Sequence, residues 1–210
     1  MMENVKVMVV DDQGISRKFF ENLVKSSDRY ELVCAIDDAG MADIYCAKYP
    51  VDLILMDVMM RENADGLTAA ARIKKSYPNV KIIIVTSMPE VSFIERAKAA
   101  NADSFWYKEA DSLDMLSVMD RTMAGERVYP LRTPPKQLGQ ISSDELTDSE
   151  ISVLRELTTG ASNVQIGEKL YLSANTVRAH ISHMLEKTGF ENRTELAIEA
   201  RIKGIVIGEK

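Results

Sequence analysis

The pattern of apolar and polar positions divides the chain into two parts with different periods. Between Val5 and Met123, short apolar runs alternate with longer segments in which apolar residues recur at helical spacing. The runs predict strands at 6–10, 31–36, 53–57, 81–87 and 104–108, and the segments between them predict helices near 15–26, 41–48, 66–77, 91–100 and 111–124. Strands that are apolar on both faces are typical of a parallel sheet covered by helices. This part is therefore predicted to be a doubly wound α/β domain with a five-stranded parallel sheet.

From Thr147 onward, the sequence is rich in residues that start and stop helices. TDSE (147–150) and SNVQ (162–165) are capping boxes, Ser173 is placed to cap a third helix, and NRTE (192–195) opens a fourth. Glycines follow three of these segments, at Gly160, Gly189 and Gly204. The second part is predicted to be all-α, with four helices near 148–158, 163–170, 174–187 and 194–203. Only Tyr-Leu-Ser joins the second helix to the third, which is a helix-turn-helix spacing.

The segment between the two parts has the composition of a linker. It reads GERVYPLRTPPKQLGQISS and contains Pro130, Pro134 and Pro135. The sequence therefore predicts a first domain at 1–124, a linker at 125–143 and a second domain at 144–210.

Composition places the chain among ordinary globular proteins. The 210 residues fit two domains, and 46% are hydrophobic and 28% charged. No apolar run reaches the ~18 residues of a membrane span, and the N-terminus lacks the pattern of a signal peptide. Cys34 and Cys46 lie in apolar-periodic segments and are expected to be buried free thiols. We expect a cytoplasmic protein without a membrane partner.

Polar side chains stand where the predicted strands end. The first strand is followed by Asp11 and Asp12, the third ends in Asp57, the fourth in Thr86 and Ser87, and the fifth in Lys108. Since parallel strands present their carboxyl ends at one edge of the sheet, these groups should converge there. Three close carboxylates repel each other unless a cation joins them, and oxygen ligands of this kind suit Mg²⁺. An aspartate held between Mg²⁺ and a lysine is a plausible nucleophile toward phosphorus.

These residues give the first part a resemblance to the receiver domains of bacterial two-component response regulators, which have a flavodoxin-like fold. The match runs from about Lys6 to Met123. The resemblance implies that Asp57 accepts a phosphoryl group from a sensor histidine kinase and that Thr86 and Lys108 contact this group. It implies that Thr86 and Phe105 are switch residues. The implied Mg²⁺ ligands are Asp11, Asp12, Asp57 and the backbone carbonyl of Met59.

The loop after Asp57 departs from the family pattern. Arg61 stands where the family usually has proline, and Gly66 falls nine residues after Asp57 instead of eight, so the segment RENADG carries an apparent insertion. Glu109 follows the lysine, where proline or aspartate is commoner. These changes alter the rim of the site and leave its phosphorylation groups in place.

The third helix of the second part has the pattern of a DNA-reading helix. Apolar residues gather on one side, and the opposite side carries small and polar residues, which suits a major groove. The segment from about Leu146 to Ile205 resembles the LuxR-type helix-turn-helix of the NarL/FixJ class, through LTxxE, GxSNxxI, LxLSxNTVxxH and NRTE. The resemblance implies base contacts from Arg178, Ala179 and Ser182, and contacts that position the DNA backbone from Asn175, Thr176 and Arg193.

The charge of the second part is low for a protein that binds DNA. From Asp144 to Lys210 there are 8 Lys and Arg against 11 Asp and Glu, a net charge of −3. This predicts modest affinity for each monomer and a homodimer on double-stranded promoter DNA, because two linked half-sites raise avidity. The last helix carries apolar residues beyond what a small core requires and is a candidate dimer surface, with plain core packing as the alternative. RNA polymerase is a further candidate partner.

These observations predict a phosphorylation-controlled transcription factor of a two-component system, and not an enzyme. Two other hypotheses stay open at this stage. One is a receiver and helix-turn-helix protein that acts independently of phosphorylation, motivated by the altered loop. The other is an aspartate-nucleophile phosphatase, which would want a second aspartate two residues after the nucleophile, where this chain has Met59.

Overall fold

The computed structural model describes residues 4–60, 65–108 and 114–206. The chain divides into two compact units. The first comprises Met1–Ser87 and Phe93–Leu131, and the second comprises Met88–Ser92 and Arg132–Lys210. The predicted domain bounds, with a linker at 125–143, stay a prediction.

The described part of the first unit alternates strands and helices, as the apolar pattern predicted. In chain order the elements are β1 (Val5–Val10), α1 (Gly14–Lys25), β2 (Tyr30–Ile36), α2 (Ala42–Lys48), β3 (Leu53–Asp57), α3 (Gly66–Ser76), β4 (Lys81–Thr86), α4 (Phe93–Ala99), β5 (Ser104–Tyr107) and α5 (Met115–Met123). All five strands are parallel, in the order β2-β1-β3-β4-β5. The predicted doubly wound parallel sheet is therefore confirmed.

The sheet is buried on both faces, which explains why its strands are continuously apolar. Alternate residues such as Val9, Leu55 and Ile83 share one core with Phe20 of α1 and Met119 of α5. The residues between them face the other way because side chains alternate along a strand. Those residues, which include Met8, Ile54 and Ile84, are fully buried, and α3 lies against β3 and β4.

The strand register aligns the carboxyl ends of four neighbouring strands. Val10 pairs with Met56, so Asp11 follows β1 at the level where Asp57 ends β3. On the next strands, Asp57 pairs with Val85 and Thr86 pairs with Tyr107. The backbone N–H of Lys108 donates to the carbonyl of Thr86 at 2.9 Å, which extends this alignment past β5. The edge formed in this way carries all the polar groups singled out in the sequence.

The second unit contains the four predicted helices: α6 (Asp148–Leu157), α7 (Asn163–Leu170), α8 (Ala174–Thr188) and α9 (Arg193–Ile202). The side chains of Thr147 and Ser162 close capping boxes, and Ser173 caps α8. Apolar residues of all four helices, such as Leu154, Ile166, Met184 and Leu196, meet in one core.

The predicted linker segment contains structure that its composition did not indicate. The backbone carbonyl of Val128 accepts from the amide of Phe105 at 2.8 Å, and the Val128 side chain is part of the first core. Two short antiparallel strands, β6 (Gln137–Leu138) and β7 (Ile141–Ser142), form a hairpin. Leu138 is fully buried in the second core, so at least this part of the segment is packed.

The described helices contain no candidate for a membrane span, since none is both long and apolar enough. Both cysteines are free, as expected, and Cys46 is buried, whereas Cys34 is only half-buried and departs from the expectation.

Candidate functional site

Three carboxylates lie together at the carboxyl edge of the sheet. One side-chain oxygen from each of Asp11, Asp12 and Asp57 lies within 4.8 Å of the other two. Asp11 and Asp57 are buried, whereas Asp12 is partly exposed. The structure therefore brings together the three side chains that the sequence placed at the ends of β1 and β3.

Lys108 connects two of these carboxylates. Its ammonium lies 2.7 Å from Asp11 Oδ2 and 2.9 Å from Asp57 Oδ1. The other oxygen of Asp57, Oδ2, accepts from the backbone N–H of Met59 at 3.1 Å. Each oxygen of Asp57 therefore has a donor.

The burial of the site changes how its groups hold protons. The pKa of Asp57 is raised from its ordinary 3.8 to about 6, and burial is the largest cause. Within that result, Lys108 lowers the pKa, and the charges of Asp11 and Asp12 raise it. Burial alone would lower the pKa of Lys108, but the carboxylates of Asp57 and Asp11 raise it above the ordinary value. The site therefore groups three carboxylates with one lysine, and burial makes the charged form of Asp57 less favourable.

The donor set fits a magnesium ion. Three carboxylate oxygens at one partly open edge are hard ligands that leave room for water or a phosphoryl oxygen, which is how Mg²⁺ is usually held. The mutual repulsion of Asp57 with Asp11 and Asp12 is the kind that a divalent cation relieves. The predicted backbone ligand, the Met59 carbonyl, belongs to a residue whose side chain is 40% exposed at the same edge.

Gly66, the first residue of α3, lies directly against the backbone of Asp57. A Cβ built on Gly66 would stand 1.8 Å from the carbonyl oxygen of Asp57, so only glycine fits here. The N–H of Gly66 donates to the carbonyl of Val58 at 2.9 Å, and Asp65 caps the helix through the N–H of Leu67. Gly66, which falls one residue later than in the family pattern, therefore allows α3 to start close to the backbone of Asp57. Arg61 and Glu109, the other departures from the family pattern, lie outside the described residues.

Two residues of α1 that sequence reasoning missed also contact Asp11. The hydroxyl of Ser16 donates to Asp11 Oδ2 at 2.5 Å, and Arg17 Nη1 donates to the Asp11 carbonyl at 2.6 Å. The backbone N–H of Gln13 donates to Oδ1 at 2.8 Å. The sequence carried a signal for these contacts: Ser16 and Arg17 lie in the first helical turn after the aspartate that follows β1. These contacts hold the Asp11 carboxylate in place.

The two predicted switch residues are both buried. Thr86 ends β4 and is 2% exposed. Phe105 is 1% exposed, and its ring centroid lies 4.9 Å from that of Tyr107 and 6.3 Å from that of Tyr129. The structure places Thr86 at the acidic edge and Phe105 inside an aromatic cluster two positions before the end of β5.

Helix α8 of the second unit presents the predicted polar face to solvent. Val177, Ile181 and Met184 are buried in the core. The residues on the opposite side are exposed: Asn175, Thr176, Arg178, Ala179 and Ser182. The helical-wheel prediction for burial is therefore confirmed, and the contacts of these residues with DNA stay a prediction.

Arg193 is engaged within the protein. Its guanidinium donates to Asn163 Oδ1 and to the carbonyl of Ala161, both at 2.7 Å. These bonds tie the start of α9 to the start of α7. The prediction that Arg193 positions the DNA backbone is untested, and its contacts also give it a structural role in holding α7.

Models of two protein families match this chain. Residues 7–120 match the response regulator receiver domain, and residues 144–200 match the bacterial regulatory proteins of the luxR family. The chain belongs to the response regulators. Within them it has the architecture of the NarL/FixJ class, in which a receiver is followed by a LuxR-type DNA-binding domain.

Similar proteins cover almost the whole response regulator. The Fimbriae Z protein of Salmonella typhimurium (strain LT2) is 30% identical over 203 residues, which are 93% of this chain and 95% of that protein. The response regulator protein VraR of Staphylococcus aureus (strain Mu3) is 29% identical over 201 residues, 93% of this chain and 96% of that protein.

Solved structures show the same fold. A structure of two RcsB dimers bound to two parallel DNAs has a TM-score of 0.64 and 21% identity, over 95% of this chain and 98% of that chain. RcsB from Salmonella enterica serovar Typhimurium, bound to promoter rprA with the phosphomimetic BeF3−, has a TM-score of 0.60 and 19% identity, over 96% and 99% of the two chains. At these identities the likeness is one of fold.

Proposed function

We propose that this response regulator is a DNA-binding transcription factor whose activity is controlled by phosphorylation of Asp57. The observation that carries the proposal is the grouping of Asp57 with Asp11, Asp12 and Lys108 at one sheet edge. The same chain carries a LuxR-type helix-turn-helix with an exposed polar helix face. One part therefore has the groups for phosphoryl transfer and the other has a surface for DNA.

The proposed reaction is phosphoryl transfer from a histidine of a sensor kinase. A carboxylate oxygen of Asp57 attacks phosphorus, the P–N bond breaks, and its electron pair returns to the imidazole, which leaves an acyl phosphate on Asp57. Lys108, already 2.9 Å from Asp57 Oδ1, donates to the phosphoryl oxygens, and the hydroxyl of Thr86 donates from the neighbouring strand. Mg²⁺ bound by Asp11, Asp12, Asp57 and the Met59 carbonyl would supply positive charge against those oxygens.

The consequence of phosphorylation is a change in how the chain binds promoter DNA. The acyl phosphate adds negative charge, which draws Thr86 and Lys108 toward it and biases the position of Phe105. This change promotes dimers, frees the helix-turn-helix, or does both. The exposed side chains of Ile198 and Ile202, one turn apart on α9, are the proposed dimer surface. A structure of RcsB, a protein of the same fold, contains dimers bound to DNA and supports the proposal that this chain binds DNA as a dimer.

The phosphorylation step is tested by intact mass. The full chain is incubated with Mg²⁺ and a small-molecule phosphodonor, and we expect wild type to gain the mass of one phosphoryl group and Asp57→Asn to gain none. Asp37→Asn serves as the control because Asp37 follows β2 at the same sheet edge, outside the acidic cluster, and should be phosphorylated like wild type.

The result of that experiment decides between the proposal and its alternatives. A wild-type protein that takes up no phosphoryl group would contradict the proposal and support a receiver that acts independently of phosphorylation. Phosphorylation of Asp57→Asn to the wild-type extent would show that another residue is the acceptor. Steady hydrolysis of added phosphomonoesters would support the phosphatase hypothesis.

The DNA-binding step is tested at α8. Arg178 is exposed near the start of this helix, where it would reach base edges in a major groove. We expect Arg178→Ala to weaken binding to a preferred duplex by roughly 1–3 kcal/mol and to reduce discrimination against a scrambled duplex. Equal affinity of Arg178→Ala and wild type for the preferred duplex would refute the assignment of α8.

A further inference from the structure

Tyr171, the residue that ends α7, has an unusual backbone conformation. Its φ of 56° and ψ of 41° are left-handed, a region that a residue with a large side chain rarely adopts. At the other described positions of this kind the chain has Gly125, Gly139, Gly160, Gly189, Gly204 or Asn101. Asparagine tolerates the conformation because its short polar side chain bonds locally, and an aromatic side chain has no such compensation. Tyr171 is the exception among the described residues.

The fold itself makes no use of the Tyr171 side chain. The side chain is 96% exposed, and no hydrogen bond or ring contact joins it to another residue in the part of the chain that the structure describes. The turn is held by the backbone, because the N–H groups of Tyr171 and Leu172 both donate to the carbonyl of Gly167. Glycine or asparagine would form this turn with less strain. A strained residue without an internal contact points to a contact outside the protein.

The position of Tyr171 indicates what that contact is. Tyr171 lies two residues before Ser173, the N-cap of α8, and the first turn of α8 exposes Asn175 and Thr176. The N-terminal part of a recognition helix contacts base edges in the major groove. A side chain just before that part therefore reaches the wall of the groove, which is the sugar–phosphate backbone. A phenol suits this surface, since its ring packs on the sugar and its hydroxyl donates to a phosphate oxygen.

We propose that Tyr171 binds the sugar–phosphate backbone of DNA at the edge of the groove that α8 enters. This inference rests on the proposed DNA-binding function. Such a contact raises affinity for every sequence to the same extent, because it reads no base edge. It also leaves the salt dependence of binding unchanged, since an uncharged phenol displaces no counterion.

The test compares Tyr171→Asn and Tyr171→Phe with wild type in the full chain, treated with Mg²⁺ and a phosphodonor. The probes are a duplex that the wild-type protein enriches from a random-sequence pool and a scrambled duplex of the same length. Fluorescence anisotropy over a salt series gives the dissociation constants, and thermal unfolding gives Tm. Asn101→Gly is the matched control. It removes the backbone strain of the other left-handed residue that is not glycine, and this residue lies in the first unit, outside the helix-turn-helix.

We expect Tyr171→Asn to fold with an equal or higher Tm, because asparagine fits the left-handed backbone better. Its affinity for both duplexes should fall about tenfold, the worth of a hydrogen bond to a charged group, with the ratio between them unchanged. Tyr171→Phe should show most of this tenfold loss, because it lacks the hydroxyl. Asn101→Gly should bind both duplexes with wild-type affinity.

Three results would overturn the inference. Wild-type affinity of Tyr171→Asn for both duplexes would show that the side chain does not touch DNA. A loss confined to the enriched duplex would show that Tyr171 reads bases. If wild type binds neither duplex, the proposed DNA-binding function fails together with the inference, and this outcome is recognisable without any variant.

Discussion

At the scale of single residues, the geometry of the acidic edge depends on the donors that hold Asp11 and on a glycine beside Asp57. Asp11 is held by donors from Ser16, Gln13 and Lys108, so its carboxylate has little freedom. Gly66 allows the start of α3 to approach the carbonyl of Asp57 closely. The position of Asp57 therefore depends on the residue nine positions later as well as on β3.

Gly66→Ala should damage both the fold and the site. The added Cβ would meet the Asp57 carbonyl oxygen at 1.8 Å, so the backbone must move. We expect the unfolding free energy measured in urea to fall by about 1–3 kcal/mol, which is the usual cost of overpacking. Weaker Mg²⁺ binding should accompany this loss.

Gly14→Ala is the control for that experiment. No atom lies within 4 Å of a Cβ built on Gly14, and this residue begins α1. Alanine should be neutral or raise the unfolding free energy by up to about 1 kcal/mol. If Gly66→Ala unfolds at the same urea concentration as Gly14→Ala, the close approach to Asp57 is not a constraint on the fold.

At the scale of elements, the strand and helix pattern follows from local signals in the sequence. The strands are apolar because both faces of the sheet are covered, and the capping residues Thr147, Ser162 and Ser173 each accept from an amide of their helix. These signals involve neighbours in the chain, so they are visible without a structure.

The features that escaped prediction depend on contacts between distant parts of the chain. Strands of two residues have no measurable period, so the sequence pattern does not predict the hairpin of Gln137–Leu138 and Ile141–Ser142. The bonds from Ser16 and Arg17 to Asp11 depend on how α1 turns away from β1. The left-handed conformation of Tyr171 is also invisible in a sequence, because tyrosine gives no hint of it.

Asp103, which precedes β5, contacts α3 and β4 in the first unit and provides a test by pH. It accepts from Lys74 of α3, from Lys81 of β4 and from the amide of Ile82. Burial alone would raise the pKa of Asp103, but these three donors lower it below the ordinary 3.8. The native state therefore favours the charged carboxylate. The resulting stability is fully present above the ordinary pKa and is lost as pH falls through the lower native value.

We expect Asp103→Asn to lower the unfolding free energy by about 1–3 kcal/mol at pH 7, because two lysines lose a charged partner. The difference from wild type should shrink as the pH falls below about 4. Asp43→Asn removes the exposed ion pair with Arg72 and should cost well under 1 kcal/mol at either pH. A constant difference between Asp103→Asn and wild type from pH 7 to pH 3 would contradict this account.

At the scale of the whole molecule, the chain combines a receiver domain with a LuxR-type DNA-binding domain of different architecture. The net charge of −6, and of −3 from Asp144 to Lys210, gives little general attraction to DNA. Under the proposed function, we expect affinity for DNA to come from specific contacts and from two copies that bind together. This makes the dimer central to the proposed function.

The double variant Ile198→Glu with Ile202→Glu tests that requirement. These side chains are 52% and 73% exposed, so charges there should leave the fold intact. Sedimentation velocity of the phosphorylated chain should show loss of the dimer, and affinity for an enriched duplex should fall by tenfold or more. Ile44→Glu changes a comparably exposed isoleucine of α2 and should keep the dimer. A dimer that persists in the α9 variant would place the interface elsewhere.

The small hairpin before α6 determines where the LuxR-type domain should be joined to another protein in a chimera. A Cβ on Gly139 would lie 2.0 Å from the carbonyl of Thr188, and the N–H of Gln140 donates to that same oxygen at 2.8 Å. The hairpin therefore braces the far end of the helix that would enter DNA. A chimera joined at residue 144 would leave this brace behind, whereas a junction upstream of Lys136 would carry it along.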